Sequence, residues 1–276
     1  MSSLNKIINY VPTGTQTTRD NSFAPLLPSE IIEDVHEAHE VGITLVHLHA
    51  REEDLSNTYK KSIYRDIIEG IKKHCEDISI CVSLSGRYFN DFNKRTEVLE
   101  LYPDMASLTL SSLNFLSSAS INDLDTIIKI LEKMQKFGVI PELECFDSGM
   151  INASKWLIDK GYLSGPLYYN VILGNVFNAQ CNLSSISDIK SSLPKDSVVT
   201  IGGIGSNQLK SNIYGLLDFD GVRIGLEDNL YLNGKIKATN IQLLNRIHNI
   251  MNTLDIELLT SKEFKENGYK NKTNNR

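Results

Sequence analysis

Residues 44–49 read Thr44-Leu45-Val46-His47-Leu48-His49, an apolar run that closes on two histidines one residue apart. Short apolar runs of this kind predict buried β-strands. Residues i and i+2 of a strand point to the same face, so His47 and His49 are expected to project together. Two converging imidazoles form half of a divalent-metal site, and zinc is the metal that such nitrogens most often hold. The alternative is a pair of polar side chains that hydrogen bonds satisfy at a strand end.

Short apolar runs and longer amphipathic segments alternate along the rest of the chain. The candidate strands are residues 7–11, 44–49, 78–84, 105–110, 139–145, 167–173, 198–202 and 221–224. The segments with helical spacing are residues 31–40, 63–74, 97–101, 121–137, 152–160, 184–193, 207–217 and 238–254. Eight strands that are each followed by a helical segment predict an α/β fold, the (β/α)₈ TIM barrel. A doubly wound sheet is the alternative, but the loop after the first strand lacks that fold's glycine-rich nucleotide fingerprint.

The composition is that of an ordinary globular protein, with 41% hydrophobic residues, 22% charged residues and a net charge of −6 over 276 residues. No basic face stands out, which argues against nucleic acid as a partner. The four cysteines form no C-x-x-C pair, and neither a signal peptide nor a membrane-spanning stretch is evident. We therefore expect a cytoplasmic protein without a membrane partner. We also expect one catalytic domain over residues 1–260 and a polar, frayed tail over residues 261–276.

Polar residues gather at the carboxyl ends of the predicted strands, where a TIM barrel carries its catalytic groups. Polar groups inside otherwise apolar strands are costly to bury without partners, so a whole ring of them at one end predicts an active site. The members of this ring are His47, His49, Ser83, Ser85, Ser107, Thr109, Glu142, Glu144, Asn170, Arg223, Glu227 and Asp228.

Longer motifs resemble the β-keto acid cleavage enzymes, the family of the 3-keto-5-aminohexanoate cleavage enzymes. The resemblance rests on Thr13-Gly-Thr-Gln-Thr-Thr-Arg19, on His47-Leu48-His49 with Arg51, on Met105-Ala-Ser-Leu108 with Leu113-Asn-Phe115, on Val139-Ile-Pro-Glu-Leu-Glu-Cys-Phe-Asp-Ser-Gly-Met150, and on Arg223-Ile-Gly-Leu-Glu-Asp-Asn229. The motifs keep the family's order from about Asn9 to about Met251. The resemblance implies a zinc-dependent TIM barrel that forms a homo-oligomer, a dimer or a tetramer. It also implies condensation of a β-keto acid with acetyl-CoA, which yields acetoacetate and a new CoA thioester.

The resemblance implies that His47, His49 and Glu227 hold the metal. Two nitrogens and one carboxylate leave an open position that admits substrate oxygens. Taken by itself, Glu227 would be interpreted as a surface loop carboxylate, and it is the matching motif that favours a ligand. Glu142 is a candidate for supporting a ligand through a hydrogen bond. The implied catalytic residues are Ser83, Glu144, Arg223 and Asp228.

The residue that removes the α-proton is not identified by the sequence. A guanidinium is a poor base, so we favour a carboxylate, with Arg223 stabilising developing negative charge. A buried ion pair between Arg223 and Asp228 is a second role that is compatible with the first.

The predicted substrate-binding residues are Gln16, Arg51, Arg87, Ser107 and Asn170. Ser107 stands where the resemblance leads us to expect a threonine, and it keeps the hydroxyl group. Members that cleave an amino-substituted keto acid carry a glutamate in the first loop, where this chain has Gln16. A neutral amide supplies no charge to an ammonium group, so we predict a neutral polar or anionic substrate side chain. Arg51 and Arg87, together with Arg19, are candidates for binding a carboxylate or the CoA phosphates, or are solvated or structural ion pairs.

The segment Gly202-Gly203-Ile204-Gly205-Ser206 follows the seventh strand, where many TIM barrels bind phosphate at a helix N-terminus. Gly203 and Gly205 are therefore candidates for contacts with CoA. The alternative is a tight turn in which Ser206 caps the next helix.

Three other functions compete with this interpretation. The first is a zinc hydrolase on a TIM barrel, but that class places its His-x-His on the first strand and adds a metal-bridging lysine that is not evident here. The second is a metal-dependent aldolase that cleaves a hydroxy-keto acid without CoA. The third is a non-catalytic metal-binding scaffold, which the ring of polar residues disfavours.

Overall fold

The computed structural model describes residues 5–18 and 20–273 of the chain. Eight parallel strands form the barrel: β1 Asn5–Tyr10, β2 Leu45–Leu48, β3 Ser79–Val82, β4 Met105–Thr109, β5 Ile140–Cys145, β6 Tyr168–Leu173, β7 Val198–Gly203 and β8 Gly221–Ile224. Each strand pairs with the next, and β1 also pairs with β8, with Ile7 beside Gly221. This last pairing closes the barrel, so the predicted TIM-barrel fold and all eight predicted strands are confirmed.

Helices surround the barrel: α1 Pro28–Val41, α2 Lys61–Lys72, α3 Phe92–Thr96, α4 Leu124–Phe137, α5 Ser148–Asp159, α6 Leu183–Ser192, α7 Asn207–Asp218, α8 Asn240–Thr253 and α9 Ser261–Glu266. Residues Glu97–Leu101 form a 3₁₀ helix. Local sequence explains several starts, because Pro28 occupies the first turn of α1 and the Asp123 side chain accepts a hydrogen bond from a backbone N–H of α4. Among the described residues, no helix is long and apolar enough to cross a membrane.

The interior of the barrel is layered along the strands. The lower layer is an apolar cluster that includes Ile7, Leu45, Met105, Ile140 and Tyr168. The next residue on the same face lies two positions further along each strand. These next residues are Asn9, His47, Ser107, Glu142 and Asn170, and all of them are buried. The barrel therefore buries a polar layer on top of an apolar one, and the polar layer faces the carboxyl ends of the strands.

The C-terminal segment differs from the frayed tail predicted for residues 261–276. Helix α9 places Phe264, which is fully buried, against Tyr269, and their rings stack with centroids 4.5 Å apart. Both rings pack on the apolar lower layer and close the amino-terminal end of the barrel. Asn271 is buried as well and donates hydrogen bonds to the carbonyl oxygens of Pro103 and Phe137. The prediction of a frayed tail is therefore wrong for residues 261–273, and residues 274–276 lie outside the described residues.

Candidate active site

A cavity of about 520 Å³ opens at the carboxyl ends of the barrel strands. Its wall combines residues from several strands and from the loops that follow them. Eight members of the predicted polar ring line it: His49, Ser83, Ser85, Thr109, Glu144, Arg223, Glu227 and Asp228. The closed barrel thus brings together groups that lie up to 179 positions apart in the chain, from His49 to Asp228.

His49 and Glu227 line this cavity, and His47 lies beside them in the buried polar layer. The two imidazole rings lie side by side on β2 with centroids 5.2 Å apart, and candidate ligand atoms of the three residues all lie within 4.8 Å of one another. His47 Nε2 and Glu227 Oε2 are buried, and neither has a hydrogen-bond partner among the described residues. Burying polar atoms without a partner costs free energy. A cation bound between these two atoms would remove that cost, so the pair fits a metal site.

Glu142 holds His47 from behind. Its Oε2 lies 2.7 Å from His47 Nδ1, while its Oε1 accepts hydrogen bonds from Asn9 Nδ2 at 2.6 Å and from Asn170 Nδ2 at 3.1 Å. A hydrogen bond from Nδ1 to a carboxylate orients the ring and leaves Nε2 free to bind a metal. Asn170 is fully buried in this network and does not line the cavity, in contrast to its predicted role in binding substrate.

Opposite charges set the ionisation of these groups. Burial alone would lower the pKa of His47, but the carboxylates of Glu142 and Glu227 outweigh burial and raise it to about 9. Burial lowers the pKa of His49 despite the nearby Glu227 carboxylate. Burial would raise the pKa of Glu227, yet the positive charges of Arg223 and the histidines hold it well below its usual range. Glu227 is therefore ionised, as a metal ligand must be.

Arg223 lies on β8 and is surrounded by carboxylates. Its Nε donates to Asp228 Oδ2 at 2.7 Å, and its Nη2 donates to Glu227 Oε1 at 2.7 Å. The ion pair with Asp228, which the sequence offered as a second role, is present. Nη1 is buried without a hydrogen-bond partner in the described part of the chain and lies 3.8 Å from Glu144 Oε1. One nitrogen of the guanidinium thus stays available to an anionic group that enters the cavity.

The two remaining carboxylates differ in how their oxygens are engaged. Glu144 Oε2 accepts a hydrogen bond from Thr109 at 2.8 Å, whereas Oε1 accepts none from the described residues. Asp228 accepts hydrogen bonds from Arg223 at both of its oxygens. Burial raises the pKa of both carboxyl groups against the lowering effect of nearby positive charges. Ser83 also lines the cavity, and its hydroxyl oxygen accepts a hydrogen bond from the backbone N–H of Ser85 at 3.3 Å.

Residues 6–267 match the sequence profile of the family described as beta-keto acid cleavage enzyme. The chain belongs to the β-keto acid cleavage enzyme family. The predicted family is therefore confirmed, and with it the conclusion that the protein is an enzyme.

Relatives with named activities align with nearly the whole chain. A 3-keto-5-aminohexanoate cleavage enzyme of Fusobacterium nucleatum is 29% identical over 94% of this chain and 96% of its own. A 3-oxoadipate:acetyl-CoA acetyltransferase of Cupriavidus necator is 32% identical over 87% of this chain and 86% of its own. Among solved structures, ObcA in complex with oxaloacetate superposes with a TM-score of 0.76 at 19% identity, over 88% of this chain and 66% of the ObcA chain. At this level of identity, the similarity to ObcA shows that the two proteins share a fold and nothing more.

The predicted substrate-binding residues of this β-keto acid cleavage enzyme separate into two groups. Gln16 and Arg87 line the cavity, and Gln16 Nε2 donates to the carbonyl oxygen of Glu227 at 3.0 Å. Ser107 and Arg51 do not line it. The Ser107 hydroxyl accepts the backbone N–H of Leu84 at 3.2 Å.

Arg51 is buried and fastens the first loop. It donates hydrogen bonds to the carbonyl oxygens of Ala50, Gly14 and Gln16. Ser107 and Arg51 therefore have structural contacts, and their contacts with substrate stay predictions. Arg19 lies outside the described residues.

The glycine-rich turn after β7 packs against α7 and contacts the loop that carries Asp228. Gly203 packs so closely on α7 that a Cβ there would lie 2.8 Å from the backbone of Asn207. Gly205 has a φ of +60° and donates its N–H to the carbonyl oxygen of Asp228 at 2.7 Å. Neither glycine lines the cavity, and the Ser206 side chain does not cap α7. The tight turn is thus observed, whereas the predicted contacts with CoA have no support from the cavity lining.

Several residues at the site escaped the sequence interpretation, among them Asn9, Gly14 and the cavity-lining Asp20, Tyr88 and Asn175. Asn9 donates to Glu142, and its signal was a polar residue in the otherwise apolar first strand. Gly14 has a φ of +55°, and a Cβ there would lie 2.3 Å from Glu227 Cγ. Its role depends on a contact between β1 and β8 loops that no local pattern reveals.

Proposed function

We propose that this protein is a zinc-dependent enzyme that condenses a β-keto acid with acetyl-CoA and releases acetoacetate and a new CoA thioester. The observation that carries the proposal is the pair of buried ligand atoms without hydrogen-bond partners among the described residues, His47 Nε2 and Glu227 Oε2. Glu227 lines the cavity together with Glu144 and Arg223. The names of the relatives support the reaction class, because they include a keto acid cleavage enzyme and an acetyl-CoA acetyltransferase.

The donor set fits zinc. Two imidazole nitrogens and one carboxylate are a common catalytic zinc site, whereas magnesium and calcium prefer oxygen ligands throughout. When bound, zinc supplies Lewis-acid polarisation of the keto and carboxylate groups, which makes the α-protons of a β-keto acid more acidic.

We assign the removal of the α-proton to Glu144. Its free oxygen, Oε1, lies at the cavity wall, and the raised pKa of its carboxyl group suits a group that both accepts and returns a proton. Both oxygens of Asp228 are engaged by Arg223, so we assign Asp228 to positioning that guanidinium. Arg223 Nη1 is then placed to stabilise negative charge as it develops on the substrate.

The bonds balance without water or a redox partner. C2 of the keto acid loses a proton to Glu144 and forms a bond to the acetyl carbonyl carbon, which expels the CoA thiolate. The thiolate adds to C3, the C2–C3 bond breaks, and C2 regains the proton. The products are acetoacetate and the CoA thioester of the former C3 acyl group.

The relatives do not identify the chemical class of the substrate side chain, because they act on different keto acids. Their names include an amino-substituted keto acid, a dicarboxylic keto acid and a trimethylammonium compound, 3-dehydrocarnitine. Gln16 supplies no negative charge for an ammonium group, so we propose a neutral polar or anionic side chain. We further propose a cytoplasmic homo-oligomer, a dimer or a tetramer, which light scattering and cell fractionation would test.

One assay tests the reaction class. The purified enzyme is incubated with acetyl-CoA and a panel of 3-oxo acids, acetoacetate is measured with an NADH-linked dehydrogenase, and CoA thioesters are identified by mass spectrometry. We expect acetoacetate and a new thioester in equal amounts. Release of free CoA and acetate would indicate a hydrolase instead. Cleavage of a hydroxy-keto acid, added to the panel for this purpose, without any new thioester would indicate an aldolase.

A metal measurement accompanies the assay. We expect about one zinc per chain by mass spectrometry of the purified protein. His47→Ala and Glu227→Ala should lose the metal, and full retention of zinc by both variants would refute the ligand assignment.

A further inference from the structure

Arg87 is a clamped guanidinium in the wall of the catalytic cavity. Its Nε donates to the Ser118 hydroxyl at 2.8 Å, and its Nη1 donates to the Thr15 hydroxyl at 3.2 Å. Its Cζ also lies 4.3 Å from the centroid of the Phe115 ring. Three neighbours from two different loops thus hold the guanidinium plane in one orientation.

None of these neighbours neutralises the charge. Two of the five N–H donors of the guanidinium are used, both by neutral hydroxyl groups. No ion pair formed by the described residues includes Arg87. The other guanidinium of the cavity, Arg223, differs because Glu227 and Asp228 already pair with it. Arg87 therefore presents an uncompensated, oriented positive charge, which is the arrangement that binds a carboxylate.

The contacts of Arg87 place it close to the metal ligands. Thr15 follows Gly14, where an added Cβ would lie only 2.3 Å from Glu227 Cγ. Gln16, the next residue, donates to the carbonyl oxygen of Glu227. The same three-residue stretch therefore touches both Arg87 and a ligand of the proposed zinc. Arg87 lines the same cavity as His49 and Glu227, so a substrate bound at the proposed ligands shares that cavity with the Arg87 guanidinium.

We propose that Arg87 binds a second carboxylate, at the end of the substrate side chain, so that the enzyme acts on 3-oxo dicarboxylic acids. This inference rests on the proposed function and narrows its substrate. The product thioester would then carry a free carboxylate at its far end. The phosphates of CoA are the other anions that a guanidinium at this place could bind. The contact of Arg87 with the stretch that also touches Glu227 favours the substrate carboxylate over them.

The test compares 3-oxoadipate with 3-oxohexanoate, which has the same chain length and a methyl group in place of the second carboxylate. We expect the wild-type enzyme to prefer 3-oxoadipate in kcat/KM. Arg87→Met should lower kcat/KM for 3-oxoadipate on the order of 10- to 100-fold while leaving 3-oxohexanoate nearly unchanged. Arg87→Lys should restore part of the loss. Arg65→Met, on the exposed face of α2, serves as the control and should change neither value.

A second part of the experiment distinguishes binding of the substrate carboxylate from binding of the CoA phosphates. Each enzyme is assayed with acetyl-CoA and with S-acetylpantetheine, which has no phosphates. If Arg87→Met raised KM for acetyl-CoA with both keto acids, and this effect vanished with S-acetylpantetheine, Arg87 would bind CoA and the inference would be overturned. It would equally be overturned if the wild-type enzyme formed acetoacetate without preferring the diacid. Absence of acetoacetate from both acids would instead refute the proposed function on which the inference rests.

Discussion

His47 and Glu142 form a buried pair inside the barrel, with Nδ1 of the imidazole 2.7 Å from Oε2 of the carboxylate. The pair links two strands, β2 and β5, that do not neighbour each other in the sheet. It fixes the ring so that only Nε2 is left for a metal. The polar layer beneath the cavity is therefore part of the proposed metal site although it does not reach the cavity.

We expect Glu142→Gln to weaken zinc binding by about 10- to 100-fold, because an amide orients and charges the imidazole less effectively than a carboxylate. Competition with a chromophoric chelator measures the zinc affinity, and urea unfolding reports any loss of stability separately. Glu69→Gln, at an exposed position of α2, is the matched control. Unchanged zinc affinity in a folded Glu142→Gln protein would contradict the supporting role.

Gly14 offers a test that leaves every ligand in place. A Cβ at Gly14 would lie 2.3 Å from Glu227 Cγ, so Gly14→Ala must displace the Glu227 side chain. We expect weaker zinc binding and lower kcat. Gly234→Ala is a close control, because Gly234 also has a positive φ but nothing lies within 4 Å of the position that its Cβ would take. If both variants lost the same amount of zinc affinity, backbone strain rather than the contact with Glu227 would be the cause.

The proton-transfer role of Glu144 is testable without acetyl-CoA. In D₂O the enzyme should exchange the α-protons of a 3-oxo acid faster than the uncatalysed background, as followed by proton NMR. Glu144→Gln should abolish this exchange and lower kcat by roughly 10²- to 10⁴-fold. Asp228→Asn should retain exchange at a reduced rate, since Asp228 acts through Arg223. The opposite ranking of the two variants would assign the base to Asp228.

The sequence predicted the barrel because each strand carries a short apolar run with a helix after it. It also identified the strand ends as the site, and His49, Ser83, Glu144 and Glu227 do line the cavity. Whether a polar residue reaches the cavity depends more on its position along the strand than on its residue type. Ser107 pairs in register with Glu142 and lies in the buried layer, whereas Thr109 pairs with Glu144 and reaches the cavity. A sequence pattern gives the face of a strand but not the depth at which the cavity floor begins.

Loop residues were harder to place than strand residues. Arg51 and Arg87 look alike in sequence, and both follow a strand by a few residues. The structure buries Arg51 against backbone carbonyls and leaves Arg87 in the cavity wall. Such contacts join distant loops, which periodicity does not encode.

Asp34 on α1 should make stability depend on pH. It accepts a hydrogen bond from Tyr10 and another from Asn240, and burial raises its pKa from 3.8 to about 7. Between about pH 4 and about pH 7 the folded state therefore binds more protons than the unfolded state, so stability falls as pH rises through this window. Because the side chain is only partly buried, we expect a loss on the order of 2 kcal/mol.

Asp34→Asn should remove this pH dependence while keeping an acceptor oxygen for the hydrogen bonds that Tyr10 and Asn240 donate. Urea unfolding at several pH values across the window measures it, and the difference between the wild-type protein and the variant isolates Asp34 from the histidines. Parallel curves for the two proteins would show that Asp34 does not titrate in this range.

Phe264 should contribute to stability although it lies in a polar segment. Its ring is fully buried, stacks on Tyr269 and packs against the apolar lower layer of the barrel. Phe264→Ala leaves a cavity there, and we expect a loss of about 3 to 5 kcal/mol in the free energy of unfolding. Lys262→Ala, at an exposed position of the same helix, should change stability little. Because Phe264 and Tyr269 close the end of the barrel opposite the catalytic cavity, the folded Phe264→Ala protein should keep its zinc affinity. Loss of zinc binding at temperatures where this variant is folded would show instead that the two ends of the barrel are coupled.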